Sequence, residues 1–148
     1  LPVAAMSTIL TAEAACAFDD LTRSGRDAGL KRQGEQAWPN IFRQGQLIPA
    51  VEYLRANRVR RMVMQQMETL MNEYPVIVAP SFGGDMLLLT NLTGHPQVVV
   101  PNGFRSDGTP TSLTFTGRLW GESALLALAR EYQEGTNHHM KHPPAFLG

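Results

Sequence analysis

Two short runs restrict this chain more than any other feature: Val76-Ile77-Val78-Ala79 before Pro80, and Gln97-Val98-Val99-Val100 before Pro101. Neither alternates apolar with polar residues, and β-branched side chains dominate both. Such runs suit strands covered on both faces, as in a parallel sheet between helix layers. They predict an α/β protein with helices packed on a mixed, largely parallel sheet. The proline after each run removes a ladder donor and holds the preceding residue extended, so both strands are expected to end there.

Helical patterns surround these strands. From Met6 to Arg26 the apolar residues Ile9, Leu10, Ala14, Ala17, Phe18 and Leu21 recur at helical spacing, which predicts one amphipathic helix. Lys31–Gln46 is polar and broken by Gly34, Pro39 and Gly45, and reads as a loop with room for a helical turn. Within it, Trp38 and Phe42 either pin the loop to the body or line a pocket. Leu47-Ile48-Pro49 opens the longest helix, with Val51, Leu54, Val59, Met62, Val63, Met67, Leu70 and Met71 as its buried stripe and nothing to break it before Pro75. Its arginines Arg55, Arg58, Arg60 and Arg61 read as a solvated face more readily than as an anion site.

Between the strands, Asp85–Thr93 predicts a helix closed by Gly94-His95-Pro96. Arg105–Pro110 is a turn, in which Asp107-Gly108 supplies the positive φ of a reversing chain. It predicts a hairpin joining Val98–Val100 to a strand at Leu113–Thr116. Gly121 opens a last helix with Leu125, Leu126, Leu128, Ala129 and Tyr132 on its apolar side and Gly135 as its terminator. Residues 136–148 are rich in His and Pro and are expected to be an irregular tail.

The size of the chain, 148 residues, suits a single domain over 1–148. Thirteen basic residues against thirteen acidic ones give no electrostatic reason to expect nucleic acid or an anionic membrane as a partner. No apolar run is long enough to span a bilayer, and no signal-peptide pattern is visible. Cys16, the single cysteine, excludes an intrachain disulfide and favours a cytoplasmic setting; it reads as a small core residue. A start at Leu1-Pro2 fits an excised fragment or a processed product.

Ligands of open α/β sheets collect beyond the carboxyl ends of the strands. That rule points to Pro80-Ser81-Phe82-Gly83-Gly84 and Pro101-Asn102-Gly103-Phe104. The candidate substrate-binding residues are therefore Phe82, Gly83, Gly84, Asp85, Thr90, Asn91 and Phe104: apolar walls, glycines that allow close approach, and a few polar anchors. On the alternative reading, Gly83-Gly84 is a flexible loop, and Thr90 and Asn91 brace the helix. No catalytic residue is assigned. None of the serines lies in a Gly-x-Ser-x-Gly elbow or a Gly-Gly-Ser-Ser cluster, and Lys31 and Lys141 sit in polar irregular stretches where nothing would desolvate an amine. Ser81 is the best isolated hydroxyl. His95 reads as a turn residue, since a general base would have no visible partner. His138, His139 and His142 carry helical zinc spacing, but prolines follow and no further ligand is near, so no metal and no cofactor are expected.

The order Asn91-Leu92-Thr93-Gly94-His95-Pro96, then Val98–Val100 into Pro101-Asn102-Gly103-Phe104, then Leu113–Arg118 leading to the Glu122–Tyr132 helix, closely resembles the final segment of amidase-signature enzymes. Thr11–Phe18, the Tyr53–Arg61 helix and Val76–Pro80 resemble the approach to it. The resemblance implies a C-terminal portion of that fold, shaping a substrate pocket in a serine hydrolase that cleaves carbon–nitrogen amide bonds, or in an amidotransferase A subunit. The family's Ser-Ser-Lys machinery has no matching positions in this chain, so the resemblance implies that the chain is inactive alone. Its expected partners are the missing N-terminal half and a small-molecule amide, with a homo-oligomer possible. Asp85 lies near an acidic substrate-binding residue of the A subunits, with slightly altered spacing. The competing expectation is a non-catalytic truncated module that binds a partner or self-associates through the uncovered face.

Overall fold

The computed structural model describes residues 1–143 and 146. The chain divides into two compact units, Leu1–Val63 and Met64–Gly148. In the first, helices α1 (Ser7–Ala17), α2 (Asp19–Arg23) and α3 (Trp38–Gly45) precede the start of α4 (Ala50–Glu73). The single helix expected over Met6–Arg26 is broken at Phe18, whose φ of −107° and ψ of 25° leave the helical region. Packing accounts for the break: the Phe18 ring stacks on Phe42 at 4.7 Å, and Trp38 stacks on the same ring at 5.6 Å. Trp38 and Phe42 also show that the expected loop holds a true helix, opened by Pro39 in its first turn.

Helix α3 lies close on α1 because Gly45 has no side chain. A Cβ at that position would stand 2.5 Å from Ala15 Cβ and 2.7 Å from the Thr11 carbonyl oxygen. Asp27, buried at 2% exposure, is paired by Arg43 Nη2 at 2.5 Å, which provides the charge partner that a buried carboxylate requires. Cys16 is exposed, correcting its assignment to the core: it lies on the outer side of α1, while Ala15 turns inward against Gly45.

The long helix α4 buries a narrower line than its apolar pattern suggests. Ala56, Val63, Met67 and Met71 are buried, whereas Val51, Leu54, Met62 and Leu70 of the expected stripe are exposed. The covered residues, spaced seven, four and four apart, share one narrow face of the helix, and apolar residues to either side of it stay at the surface.

The second unit contains β1 (Val76–Pro80), α5 (Met86–Thr93), β2 (Gln97–Phe104), β3 (Pro110–Gly117) and α6 (Glu122–Thr136), followed by a 3₁₀ turn at His138–Met140. The α/β class holds, but the largely parallel ladder does not. The sheet order is β1-β3-β2, and β3 pairs antiparallel with both neighbours. β1 and β2 do run in the same direction; the Asp107-Gly108 turn folds β3 back on β2, and β3 then occupies the place between them. Gly108 has a φ of 80°, and the Arg105 amide donates to the Thr109 carbonyl at 2.8 Å, which closes the predicted hairpin.

The prolines do not stop the strands. Pro80 still pairs with Leu113, and β2 continues through Pro101, opposite Ser112, to Phe104 with an irregular register between. Both strands lie at sheet edges, where a missing N–H need break no ladder bond. Nor are the apolar runs covered on both faces: Val78 is 52% exposed and Val99 is 59% exposed.

The core of this unit lies under α6, where Val100, Phe115, Leu125 and Ala129 are buried with Val76, Val98, Leu113 and Tyr132 packed around them. Leu126 and Leu128, expected on the same side, are exposed. Helix α6 runs through Gly135 and ends at Asn137, whose φ of 53° makes it the left-handed cap. Residues 144, 145, 147 and 148 of the expected irregular tail lie outside the described residues. Among the described residues, no helix is long and apolar enough to cross a membrane.

Candidate functional site

Alternation along β3 separates two chemistries. Leu113, Phe115 and Gly117 face α6, so Thr114 and Thr116 must point to the opposite face of the sheet. On that face Gln97 pairs with Thr116, and Val99 with Thr114. The loop after β1 and the first turn of α5 close over them. The result is a cavity of about 120 Å³ lined by Ala79, Pro80, Ser81, Phe82, Met86, Leu87, Gln97, Val99, Thr114 and Thr116. It lies beside the carboxyl end of β1, where the strand-end rule points.

The polar groups of this cavity are organised in two pairs. Ser81 Oγ and Thr114 Oγ1 are 2.7 Å apart, and Gln97 Nε2 donates to Thr116 Oγ1 at 3.0 Å. The Ser81 amide donates to the Ser112 carbonyl at 3.2 Å, which holds the hydroxyl at the sheet edge. Among the described residues, no serine hydroxyl is hydrogen-bonded to a lysine or a histidine, so Ser81 has a neutral neighbour and no activating base. The arrangement can bind and orient a small polar group; it offers no proton acceptor stronger than a hydroxyl or an amide oxygen.

The seven candidate residues are placed unequally. Phe82 lines the cavity although the residue is 87% exposed, and its backbone has a φ of 61°. The Gly83 amide donates to the Pro80 carbonyl at 3.0 Å in a turn too tight for a Cβ, which would lie 2.9 Å from that oxygen; Gly84 follows at a φ of 55°. Asp85 occupies the N-cap position of α5, is exposed, and makes no side-chain capping bond. Thr90 is buried, its hydroxyl directed to the Met86 and Leu87 carbonyls at 2.9 and 3.3 Å, and Asn91 Nδ2 donates to the Leu87 carbonyl at 2.8 Å. Those two side chains bond to their own helix and are not among the cavity lining. Phe104 is half-buried at the far end of β2, opposite Pro110.

The residues that sequence reasoning missed are Gln97, Thr114 and Thr116. A signal was present: Leu113-Thr114-Phe115-Thr116 alternates, which marks a strand with one polar face.

A second concavity in the same unit, about 330 Å³, is lined by Glu68, Met71, Asn72, His95, Arg118, Leu119 and Trp120. His95 is buried, its Nδ1 lies 2.7 Å from Thr93 Oγ1, and burial holds its pKa below the ordinary imidazole value.

Known proteins share part of this sequence and this fold. No family model matches the chain. Its C-terminal three fifths aligns with the A subunit of glutamyl-tRNA(Gln) amidotransferase from several bacteria. Identity is 29% over 110 residues for Oceanobacillus iheyensis, covering 62% of this chain and 22% of the relative. For Acinetobacter baumannii it is 31% over 107 residues, covering 60% and 22%. For Legionella pneumophila it is 31% over 110 residues, covering 62% and 23%.

Over that stretch the chain is similar to the amidotransferase A subunits. The resemblance to the amidase-signature family is thereby borne out for the C-terminal segment. The chain spans between a fifth and a quarter of the length of the curated proteins it matches. In fold it is similar to a solved chain from a vestigial protein complex that bears on the evolutionary origins of an s-triazine catabolic enzyme. The TM-score is 0.71 at 24% identity, covering 89% of this chain and 34% of that one.

Proposed function

We propose that this chain is the substrate-facing portion of an amide-bond hydrolase or amidotransferase A subunit, and that its nucleophile comes from polypeptide outside these 148 residues. The observation that carries the reading is the cavity between β3 and the start of α5, built within the segment related to the A subunits and lined by hydroxyls, an amide and apolar walls. In the complete enzyme an upstream serine attacks the amide carbonyl, the amine leaves, and the acyl-enzyme passes to water or to an acceptor amine. Phe82 forms a wall. Gly83 and Gly84 let the substrate approach the backbone, while Asp85 and Phe104 lie outside the cavity lining and shape the chamber around it. Thr90 and Asn91 serve by holding α5 in place. The chain acts in the cytoplasm, and its partner is the catalytic remainder of the enzyme.

Support for a chain inactive alone comes from Ser81: its hydroxyl is bonded to another hydroxyl, and Lys141 is exposed on the tail. The test is a serine-reactive fluorophosphonate applied to the purified chain. The expected result is no stoichiometric labelling and no benzamide hydrolysis, with hydrolysis appearing when a polypeptide bearing the Ser-Ser-Lys machinery is supplied. Stoichiometric labelling of any serine overturns the reading.

A partner-binding or self-associating module is favoured by one observation: Val78, Val99, Leu119 and Trp120 expose large apolar surface in the second unit. A concentration-dependent sedimentation coefficient, with no gain of hydrolysis on adding the catalytic polypeptide, selects that reading instead.

A further inference from the structure

We infer that the cavity beneath Phe82 and Leu87 takes a small neutral amide, an aryl or short alkyl carboxamide, and rejects amino-acid amides such as glutamine. This rests on reading the cavity as a substrate wall and goes further by naming what the wall selects.

Charge is the first argument. None of the residues lining the cavity carries an ionisable side chain. The α-ammonium and α-carboxylate of glutamine would lose hydration against Phe82, Met86, Leu87 and Val99 with no counter-charge to compensate, and burying an unpaired ion costs several kcal/mol. Asp85 is the nearest acid in sequence, yet it sits outside the lining at the N-cap of α5.

Hydrogen-bond accounting is the second. Thr116 Oγ1 accepts from Gln97 Nε2, which leaves the Thr116 hydroxyl proton free to donate, and leaves the Gln97 amide oxygen free to accept. The Ser81–Thr114 pair uses one of its two protons internally, so one more donor remains. A neutral carboxamide has the complementary set: a carbonyl that accepts and an NH₂ that donates.

Size is the third. A dry cavity of ~150 Å³ holds benzene, and this one measures about 120 Å³ and opens to solvent. One ring or a short branched chain fits between Val99 and Leu87; a long acyl chain does not.

The experiment is a ¹⁵N–¹H correlation titration of the purified 148-residue chain with benzamide, isobutyramide, benzene and L-glutamine, followed at the Gln97, Thr114 and Thr116 amides. Benzamide and isobutyramide are expected to shift these three, with L-glutamine at least tenfold weaker and benzene weaker than benzamide. Val99→Trp alters a side chain that is 59% exposed, so the fold should tolerate it, and the new ring should abolish the benzamide shifts. Thr116→Val should weaken benzamide several-fold while leaving benzene unchanged.

Glutamine binding as tightly as benzamide at these amides overturns the neutral class but leaves the substrate-wall reading standing. Benzene binding as tightly as benzamide overturns the carboxamide part of the inference. Benzamide shifts that persist in Val99→Trp place the ligand elsewhere and overturn the site. No shift from any probe overturns both the inference and the wall reading beneath it.

Discussion

Thr93 Oγ1 donates to the Leu89 carbonyl at 2.8 Å and stands 2.7 Å from His95 Nδ1. A hydroxyl has one proton, and this one is committed to the helix. The Nδ1 must therefore carry the hydrogen and donate it to Thr93, which leaves Nε2 without a proton in the neutral ring, beside a concavity that Glu68 and Arg118 also line.

Burial holds the His95 pKa below its unfolded value of 6.5, so the folded state binds this proton less readily than the unfolded one. The stabilising contribution is complete above the unfolded value. It falls as pH drops below that value and is lost through the folded pKa. Native chain should therefore lose more denaturation temperature between neutral pH and mildly acidic pH than His95→Asn, whose side-chain NH₂ replaces the Nδ1 donor without titrating. Parallel slopes for the two proteins would refute the assignment.

Two glycines should respond to alanine for different reasons. Gly45→Ala drives a methyl group against Ala15 and the Thr11 carbonyl at 2.5 and 2.7 Å, and overpacking of this kind costs about 1–3 kcal/mol. Gly94 has a φ of 82° but only Leu119 Cδ2 nearby, at 3.7 Å, so Gly94→Ala should cost only about 1 kcal/mol of backbone strain. Urea unfolding measures both; Gly94→Asn should recover part of its loss, whereas no residue larger than glycine should be accepted at position 45.

Trp120 is 91% exposed at a φ of 62°, so it carries left-handed strain without the compensation of burial. Trp120→Asn is expected to raise stability by about 0.5–1 kcal/mol, because asparagine tolerates this conformation. A destabilised variant would mean that the indole packs on the Arg118 side of the concavity more firmly than its exposure indicates.

Leu125 is 1% exposed and fixes α6 to the sheet, with its Cδ2 3.3 Å from where a Cβ of Gly117 would stand. Leu125→Ala should cost about 2–5 kcal/mol. Because Phe115 shares that core while Thr114 and Thr116 share its strand, the variant should also weaken benzamide shifts at the opposite face before it unfolds the chain. Thermal denaturation and the benzamide titration check the two effects separately.

Local chemistry explains what could be read in advance. Asp107-Gly108 dictated the hairpin, Gly94 the end of α5, and the β-branched runs the existence of β1 and β2, because each depends on backbone preferences within a few residues. The position of the candidate site was legible as the end of β1. Its membership was not: Phe82 was found, Gln97, Thr114 and Thr116 were missed, and Thr90 and Asn91 bond to their own helix.

By itself, then, the sequence determined the long helix α4, the helices α5 and α6, the existence of the three strands, the hairpin turn, and the likeness to the amidase-signature enzymes. Tertiary structure alone decided that β3 enters between β1 and β2, that Pro101 is tolerated because its strand is an edge, that Phe18 breaks a helix to stack on Phe42, and that two threonines meet Ser81 and Gln97 across the sheet. The reason is physical: strand order, edge position and facing partners are set by contacts between residues far apart in the chain, and a window of local propensity carries no record of them.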